Sequence, residues 1–106
     1  MTDSEYLALA EIALGGIEEA VEASGADIDT ERSGNVLTLE FDNGSKIIVN
    51  LQAPMHEIWL AAKAGGYHFR HKEGAWRDTR SESELFETLS VFVSQQSGET
   101  VVLTAR

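Results

Sequence analysis

A chain of 106 residues with 18 acidic and 8 basic side chains has a formal net charge of −10, which disfavours nucleic acid and anionic membranes as partners and favours cations or a basic protein surface. It contains no cysteine, which excludes disulfides, a thiol nucleophile and thiolate ligation of zinc or iron–sulfur clusters. Its length predicts a single domain over residues 1–106, and its 42% hydrophobic content indicates a globular chain. Because no apolar run has the roughly 18 residues of a membrane span and the N-terminus lacks a basic targeting pattern, we expect a soluble cytoplasmic protein.

The first predicted element is an amphipathic helix over residues 3–24. Thr2 and Glu5 fit a capping box at its start. Apolar residues recur at helical spacing and predict the inward face, which comprises Leu7, Ala10, Leu14, Ile17 and Val21, widened by Tyr6, Ala13 and Ala20. Gly15 and Gly16 each cost about 1 kcal/mol relative to alanine, so this helix depends on tertiary packing.

Five or six antiparallel strands are predicted after the helix. DIDTER alternates, with Ile28 and Thr30 on one face and acidic residues on the other. The inward residues of the next two strands are Leu37, Leu39 and Phe41, then Ile47, Val49 and Leu51. Between these strands DNG at 42–44 predicts a type I′ turn, in which both central residues have positive φ. EIWLAAK follows as a strand, and AGGYHFRH and GAWRD form a shorter pair joined near residues 72–74.

The last long element is a helix over about residues 82–96, with a second capping box predicted from Ser81 and Glu84. Its inward face comprises Leu85, Phe86, Leu89, Phe92 and Val93, and TVVLTA follows as an extended tail placed to cover the groove between the helices. Two amphipathic helices cover one face of an antiparallel sheet and leave the other open to water. The predicted fold is therefore an α+β two-layer sandwich, with two helices packed on one face of a five- to six-stranded antiparallel sheet.

The open face of this sheet carries a tryptophan. If Ile58 and Leu60 face the helices, strand alternation turns Trp59 to solvent, and the same parity places Asn50 and Gln52 beside it. A large ring flanked by amides on an uncovered sheet is typical of an interaction anchor. The alternative is a ring that lies over its cross-strand neighbours for local stability. Trp76 has no such neighbours and is expected to be ordinary packing.

The sequence shows no constellation for catalysis. His68 and His71 lie three apart in a strand and so face opposite sides, which argues against a histidine metal site. The acidic residues lack the apolar surroundings that would raise a carboxyl pKa for acid–base work. There is neither a nucleophile elbow nor a phosphate-binding glycine loop. We therefore do not expect an enzyme.

Half of the acidic residues precede the first basic residue, Arg32. We use the term acidic ridge for those on the first helix and first strand, which are Glu11, Glu18, Glu19, Glu22, Asp27, Asp29 and Glu31. These charges are expected to be uncompensated, although Glu18 and Glu22 repel each other at a spacing of four, where a lysine partner would be favourable. Such an oxygen-rich surface binds hard cations loosely, and it is equally suited to docking a basic protein patch. The alternatives are a solvated face that maintains solubility and an acidic mimic that blocks a nucleic-acid site.

The segment NGSKIIVNLQAPMHEIWLAAKAGGYHF at 43–69 resembles the signature of the frataxin family, and specifically of its bacterial branch. Shorter runs resemble the same branch, namely TDSEY near the start, IEE at 17–19, DIDTE at 27–31 and QQSGETV at 95–101. The resemblance implies the two-layer fold predicted above and a role as a non-enzymatic regulator of iron–sulfur cluster assembly, monomeric without metal. It also implies that iron binds weakly to the acidic ridge, with Asp3 as a lesser candidate ligand and no organic cofactor.

The resemblance implies protein partners as well. Members of the bacterial branch dock on the cysteine desulfurase, with ridge residues corresponding to Glu18, Glu19 and Glu22 facing a basic surface. The surface of Trp59, Asn50 and Gln52 faces the assembly machinery, including the iron–sulfur scaffold protein. Glu57 stands where a neutral glutamine is common, and Leu51 where a basic or polar residue is frequent, so both departures are expected to alter affinity for the scaffold. The alternatives are iron storage or oxidation by oligomers that form with iron, and a protein-interaction module without a physiological metal.

Overall fold

Two helices lie on one face of a six-stranded antiparallel sheet in the computed structural model, which describes residues 1–105. The elements are α1 (Asp3–Ser24), β1 (Ile28–Ser33), β2 (Val36–Phe41), β3 (Lys46–Gln52), β4 (Glu57–Ala62), β5 (Gly65–Lys72), β6 (Ala75–Asp78) and α2 (Leu85–Ser97), with a short 3-10 helix (Ala53–Met55) between β3 and β4. The strands are ordered in the sheet as they are in the chain, so each pairs with the next. The predicted two-layer α+β fold is confirmed.

Helix α1 begins and ends where the sequence predicts. The hydroxyl of Thr2 accepts a hydrogen bond from the Glu5 backbone N–H (3.1 Å), and the Glu5 carboxylate accepts one from the Thr2 N–H (2.8 Å), which completes the capping box. One predicted inward residue is wrong: Leu7 is 47% exposed. Tyr6, which is also predicted to face inward, is fully buried, and its hydroxyl donates to the backbone carbonyl of Glu57 (2.7 Å), which ties this face of the first turn to β4.

The inward faces of β2 and β3 are as predicted, but the turn between them is not type I′. Gly44 has a positive φ (86°), whereas Asn43 does not. Residues 42–44 form a three-residue loop closed by the Phe41 N–H, which donates to the Ser45 carbonyl (2.9 Å). Asn43 adopts a different role, because its side-chain N–H₂ donates to the backbone carbonyl of Gln96 (2.7 Å) and its side-chain oxygen accepts from Ser45. Local bonds from Ser45 and a long-range bond to α2 therefore hold this turn together.

Helix α2 begins at Leu85, later than predicted, and Glu84 is its N-cap. The Glu84 carboxylate accepts hydrogen bonds from the backbone N–H groups two and three residues after it (2.9 and 3.1 Å). The capping box predicted from Ser81 is wrong, because the N–H and hydroxyl of Ser81 both donate to the Asp78 carboxylate (2.8 and 2.9 Å). All five residues predicted to line the inward face of α2 are buried.

The C-terminal tail packs along α2 and adds to the core. Val101 and Leu103 are buried, and their backbone N–H groups donate to the hydroxyls of Ser94 (2.9 Å) and Ser90 (2.8 Å) on α2. Trp76 on β6 is also buried in the core, as its prediction as an ordinary packing residue requires. The helices and tail thus cover one face of the sheet, and the other face stays open. No helix in residues 1–105 is long and apolar enough to cross a membrane.

Candidate docking and cation-binding surfaces

The acidic ridge extends over an edge of the molecule onto the open face of the sheet. Glu19 and Glu22 are exposed on α1, and Asp27 is exposed in the connection to β1. On β1, Asp29 and Glu31 alternate with the inward-facing residues and therefore lie on the open face. The remaining ridge residues, Glu11 and Glu18, lie at the junction between α1 and β1.

Arg32 neutralises the middle of the ridge, which corrects the expectation that these acids are uncompensated. Its guanidinium forms salt bridges with Glu11 and with Glu18, the latter at 3.1 Å, and its Nε donates to the Gly34 carbonyl (3.3 Å). Burial acts to lower the pKa of Arg32, but the hydrogen bonds and charges of the two carboxylates outweigh burial and raise the pKa. The sequence pattern did not predict this contact, because Arg32 lies 14 residues from Glu18 and 21 residues from Glu11.

Asp3 is separate from the ridge. It lies about 12 Å from Glu11 along the helix axis, at 1.5 Å per residue. Its carboxylate is 2.7 Å from Nε2 of His56, whose ring also stacks on Tyr6 with a centroid separation of 5.0 Å. Asp3 therefore ties the start of α1 to the connection between β3 and β4, and the structure does not group it with the other candidate ligands.

The carboxylates of the ridge suit a hydrated cation better than a chelated one. Oxygen ligands match hard cations such as Fe²⁺, Mn²⁺ and Ca²⁺. Within residues 1–105, however, no three His, Asp or Glu side chains converge into a group that could hold a metal ion. Two of the ridge carboxylates are also engaged by Arg32. The donor set therefore fits iron held loosely at the surface, with water completing its shell.

Trp59 lies on the open face, as strand alternation predicts. Ile58 and Leu60 are buried against the helices, and Trp59 is half-buried between Asn50 on β3 and His68 on β5, its two cross-strand partners. Gln52 lies on the same face, one alternation along β3 from Asn50. The three predicted partner-binding residues therefore share one surface.

Glu57 is the residue of this surface whose role the sequence did not reveal. It lies on the open face, yet its side chain is only 3% exposed. One carboxylate oxygen accepts from the indole N–H of Trp59 (2.8 Å), the other accepts from Nε of Arg70 (2.7 Å), and Nδ1 of His68 is 3.7 Å away. The rings of Trp59 and His68 stack at 4.2 Å with an interplanar angle of 5°, which helps to cover the carboxylate.

The pKa of Glu57 lies below its ordinary value. Burial acts to raise the pKa, but the hydrogen bonds from Trp59 and Arg70 and the charge of Arg70 outweigh it. Alternation alone places Glu57 and Trp59 on one face, whereas the contact with Arg70 requires the register of β4 against β5. We use the term Glu57 cluster for Glu57, Trp59, His68 and Arg70.

These features define a two-layer α+β protein with an acidic helix edge and an aromatic cluster on an open antiparallel sheet. Residues 1–99 match the family model of the frataxin-like domain, and the chain belongs to the frataxin family. The resemblance found in the sequence is confirmed.

Curated relatives match over nearly the full length of the chain. It is 65% identical over 101 residues to the iron–sulfur cluster assembly protein CyaY of Paraburkholderia xenovorans, which covers 95% of this chain and 96% of that protein. It is 55% identical over 108 residues to the protein of the same name from Burkholderia mallei, covering 99% of this chain and 100% of the relative.

Solved structures agree with this assignment. Frataxin from Psychromonas ingrahamii superimposes with a TM-score of 0.92 at 45% identity, covering 98% of this chain and 99% of that one. A trimeric frataxin from the yeast Saccharomyces cerevisiae, complexed with ferrous, superimposes with a TM-score of 0.67 at 30% identity, covering 92% and 86%.

Proposed function

We propose that this protein takes part in iron–sulfur cluster assembly as a non-enzymatic, iron-binding regulator that docks on the cysteine desulfurase through its acidic ridge. The observation that carries the proposal is the ridge itself, where seven carboxylates on α1, β1 and their connection are offset by one base, Arg32. Relatives at 55% and 65% identity are iron–sulfur cluster assembly proteins by name, which supports the same pathway here.

The free carboxylates of the ridge are the proposed contact with the enzyme. Glu19 and Glu22 are exposed and, unlike Glu18, make no salt bridge within the described chain. A row of exposed acids attracts a basic surface over a range of about 8 Å at physiological ionic strength. The interaction is therefore expected to be fast to form and strongly dependent on salt.

Iron is proposed to bind the same ridge weakly, as cargo or as a modulator of docking. A yeast family member complexed with ferrous supports iron association. The candidate ligands are Glu11, Glu18, Glu19, Glu22, Asp27, Asp29 and Glu31, and the contact of Asp3 with His56 makes it a lesser candidate. Because Glu11 and Glu18 are paired with Arg32, the other ridge residues are expected to contribute more.

The open face is proposed as a second contact, with the iron–sulfur scaffold protein. Trp59 is its anchor and Asn50 and Gln52 are its polar neighbours. A shallow groove of about 210 Å³, lined in part by Ile48, adjoins the Trp59 ring. An aromatic residue beside an apolar groove is the usual centre of a protein interface.

Calorimetric titration of the host cysteine desulfurase tests the ridge. Wild type is compared with Glu19→Lys/Glu22→Lys, which avoids the carboxylates that Arg32 holds, and with Glu73→Lys/Glu87→Lys, which makes the same charge change at exposed sites elsewhere. We expect micromolar binding that is lost in the ridge variant, retained in the control and weakened by salt. Equal binding by both variants would refute docking through the ridge.

Iron storage by an oligomer is the second candidate, because a yeast relative is trimeric with ferrous bound. Light scattering with excess Fe²⁺ in air separates the two functions. A particle that grows with iron, together with accelerated iron oxidation, would favour storage. A persistent monomer with unaltered oxidation would exclude it.

A further inference from the structure

The open face of the sheet carries opposite charges at diagonally opposed corners. At the β1–β2 corner, Asp29 lies directly across from Glu40, and Glu31 follows on the same face. At the β5–β6 corner, Arg70 lies directly across from Arg77. Residues that pair across antiparallel strands share a face, and Trp76 and Asp78 on either side of Arg77 are buried, so Arg77 points outward.

The arginine pair is costly to the isolated protein. Like charges directly opposite each other in a sheet are destabilising. The chain has only 8 basic residues at a net charge of −10, yet two of them occupy adjacent positions on an exposed face. Lys72 is neutralised by Glu82 at 3.1 Å and Arg70 by Glu57 at 2.7 Å, whereas Arg77 forms no salt bridge within residues 1–105. This arrangement points to a negative group that arrives from outside.

The guanidinium groups of Arg70 and Arg77 both have N–H donors that are not used in hydrogen bonds within the described residues. Arg70 uses its Nε on Glu57, its side chain is 62% exposed, and its terminal nitrogens form no hydrogen bond within the described residues. Arg77 donates from one terminal nitrogen to the backbone carbonyl of Glu82 (3.2 Å), which is a neutral acceptor. Forked guanidinium donors match the two oxygens of a carboxylate, which makes a carboxylate the fitting ligand.

The Glu57 cluster holds Arg70 in place next to Trp59. The Glu57 carboxylate is bonded to both side chains, so the ring and the guanidinium are oriented together before any partner arrives. Orienting groups in advance reduces the entropy lost on binding. Along the strands, the arginine pair lies about 7 Å to one side of Trp59, and the groove lined by Ile48 and Ala61 lies a similar distance to the other.

We propose that the open face binds an extended acidic segment of its protein partner, with a carboxylate on the Arg70–Arg77 pair, an apolar side chain in the groove beside Trp59, and Glu57 as the positioning residue. The three points span about 14 Å, which is roughly four residues of extended chain. This inference rests on the proposed docking of the scaffold protein at Trp59 and assigns the chemistry and direction of that partner. Its acidic end lies over β5–β6, away from the acids of β1 and β2.

Titration of the host scaffold protein against four forms of this protein tests the inference. They are wild type, Trp59→Ala, Arg70→Gln/Arg77→Gln, and the control Lys46→Gln/Lys63→Gln. The control removes the same charge away from the arginine pair, because Lys46 lies beside Glu40 at the acidic corner of the open face and Lys63 lies in the connection between β4 and β5. We expect the arginine variant to bind at least tenfold more weakly with a shallower salt dependence, and the control to bind within about twofold of wild type. Circular dichroism and thermal melting establish that each variant is folded.

The outcomes separate this inference from the function on which it rests. If Trp59→Ala weakens binding and the arginine variant does not, the acidic-segment proposal is wrong and docking at Trp59 stands. If wild type does not bind, or if neither Trp59→Ala nor the arginine variant loses affinity, the acidic-segment proposal and the docking at Trp59 are both wrong. For Glu57, we expect Glu57→Gln to weaken binding several-fold in the wild-type background and not in Arg70→Gln. An equal effect in both backgrounds would exclude the positioning of Arg70 by Glu57.

Discussion

Nη1 of Arg32 lies 3.1 Å from Oε1 of Glu18, and this contact joins strand β1 to helix α1. The two side chains are 25% and 34% exposed, so water screens the pair only in part. The same guanidinium also bridges to Glu11. One base at the edge of the sheet therefore holds together two carboxylates that would otherwise repel each other and their neighbours.

Replacing Arg32 by glutamine should destabilise the protein and make its stability more dependent on salt. We expect a loss of about 1 kcal/mol in the free energy of unfolding at low ionic strength, discounted from two full ion pairs because both carboxylates are partly exposed. Salt should recover part of this loss by screening the released carboxylates. Urea unfolding at two ionic strengths measures both effects. Lys63→Gln is the control for charge, and an equal loss in both variants would show that net charge alone is responsible.

Arg32→Gln should also increase the response to a divalent cation. Ligand binding to the folded state alone raises stability, by about 2.7 kcal/mol at a hundredfold excess over Kd. Because the variant frees Glu11 and Glu18, Mn²⁺ should raise its melting temperature more than that of wild type. Glu19→Gln/Glu22→Gln should reduce the response. A flat melting temperature in all three proteins would argue that the ridge binds no metal.

Stability should fall in acid because of two buried carboxylates. Burial acts to raise the pKa of Glu57 and of Asp78, but hydrogen bonds and nearby positive charge outweigh it, so both pKa values lie below the ordinary 4.5 and 3.8. The unfolded chain takes up these protons first. The stabilisation is therefore complete above the ordinary values and is lost as the pH falls through the lowered ones. Urea unfolding between pH 7 and pH 3 should show this loss.

Neutral variants test the assignment of the acid response. Glu57→Gln and Asp78→Asn should each be less stable at pH 7 and should show a flatter decline below about pH 4.5, since one coupled proton is removed. Glu73→Gln, at an exposed turn position, is the control. An unchanged slope in the two buried variants would place the acid sensitivity elsewhere.

The paired glycines of α1 should respond differently to alanine. A Cβ at Gly15 meets nothing within 4 Å, whereas a Cβ at Gly16 lies 3.3 Å from the ring of Phe86 on α2. Gly15→Ala should therefore raise the free energy of unfolding by about 0.5–1 kcal/mol. Gly16→Ala should gain less or lose stability, and Gly16→Leu should be strongly destabilising, because Phe86 must move. Thermal melting of the three variants checks this, and equal gains for both alanines would contradict the close packing of the helices.

Gln96 should prove important for stability although it is polar. It is 7% exposed, its side-chain oxygen accepts from the Lys63 N–H (2.9 Å), and its side-chain nitrogen donates to the Ser45 hydroxyl (3.1 Å) and the Lys46 carbonyl (3.2 Å). Gln96→Leu should cost about 1–3 kcal/mol by leaving backbone groups of two turns without partners. Exposed Gln95→Leu is the control, and a similar small effect in both would mean that water replaces these bonds.

Sequence patterns that span only a few residues were sufficient to predict most of the fold. The capping box at Thr2, the alternation in β2 to β4 and the helical spacing in α2 each depend on residues within a few positions of one another. They therefore predicted the ends of α1, the inward faces and the outward direction of Trp59. The same patterns failed at the 42–44 turn and at the start of α2. At the turn, Asn43 bonds to Gln96, which lies 53 residues away. At the start of α2 the competing contact is itself local, because the Asp78 carboxylate, three residues earlier, accepts from Ser81 and Glu84 caps the helix instead.

The sequence by itself determined the two-layer architecture, the acidic ridge and the outward-facing tryptophan, because periodicity and composition encode which side of each element meets water. Only the tertiary structure decided which charges meet. Arg32 reaches Glu18 across 14 residues, and Arg70 reaches Glu57 across 13. Both contacts depend on the register of strands and the docking of a helix, which are set by packing over the whole core. The charge balance of both candidate surfaces follows from that packing.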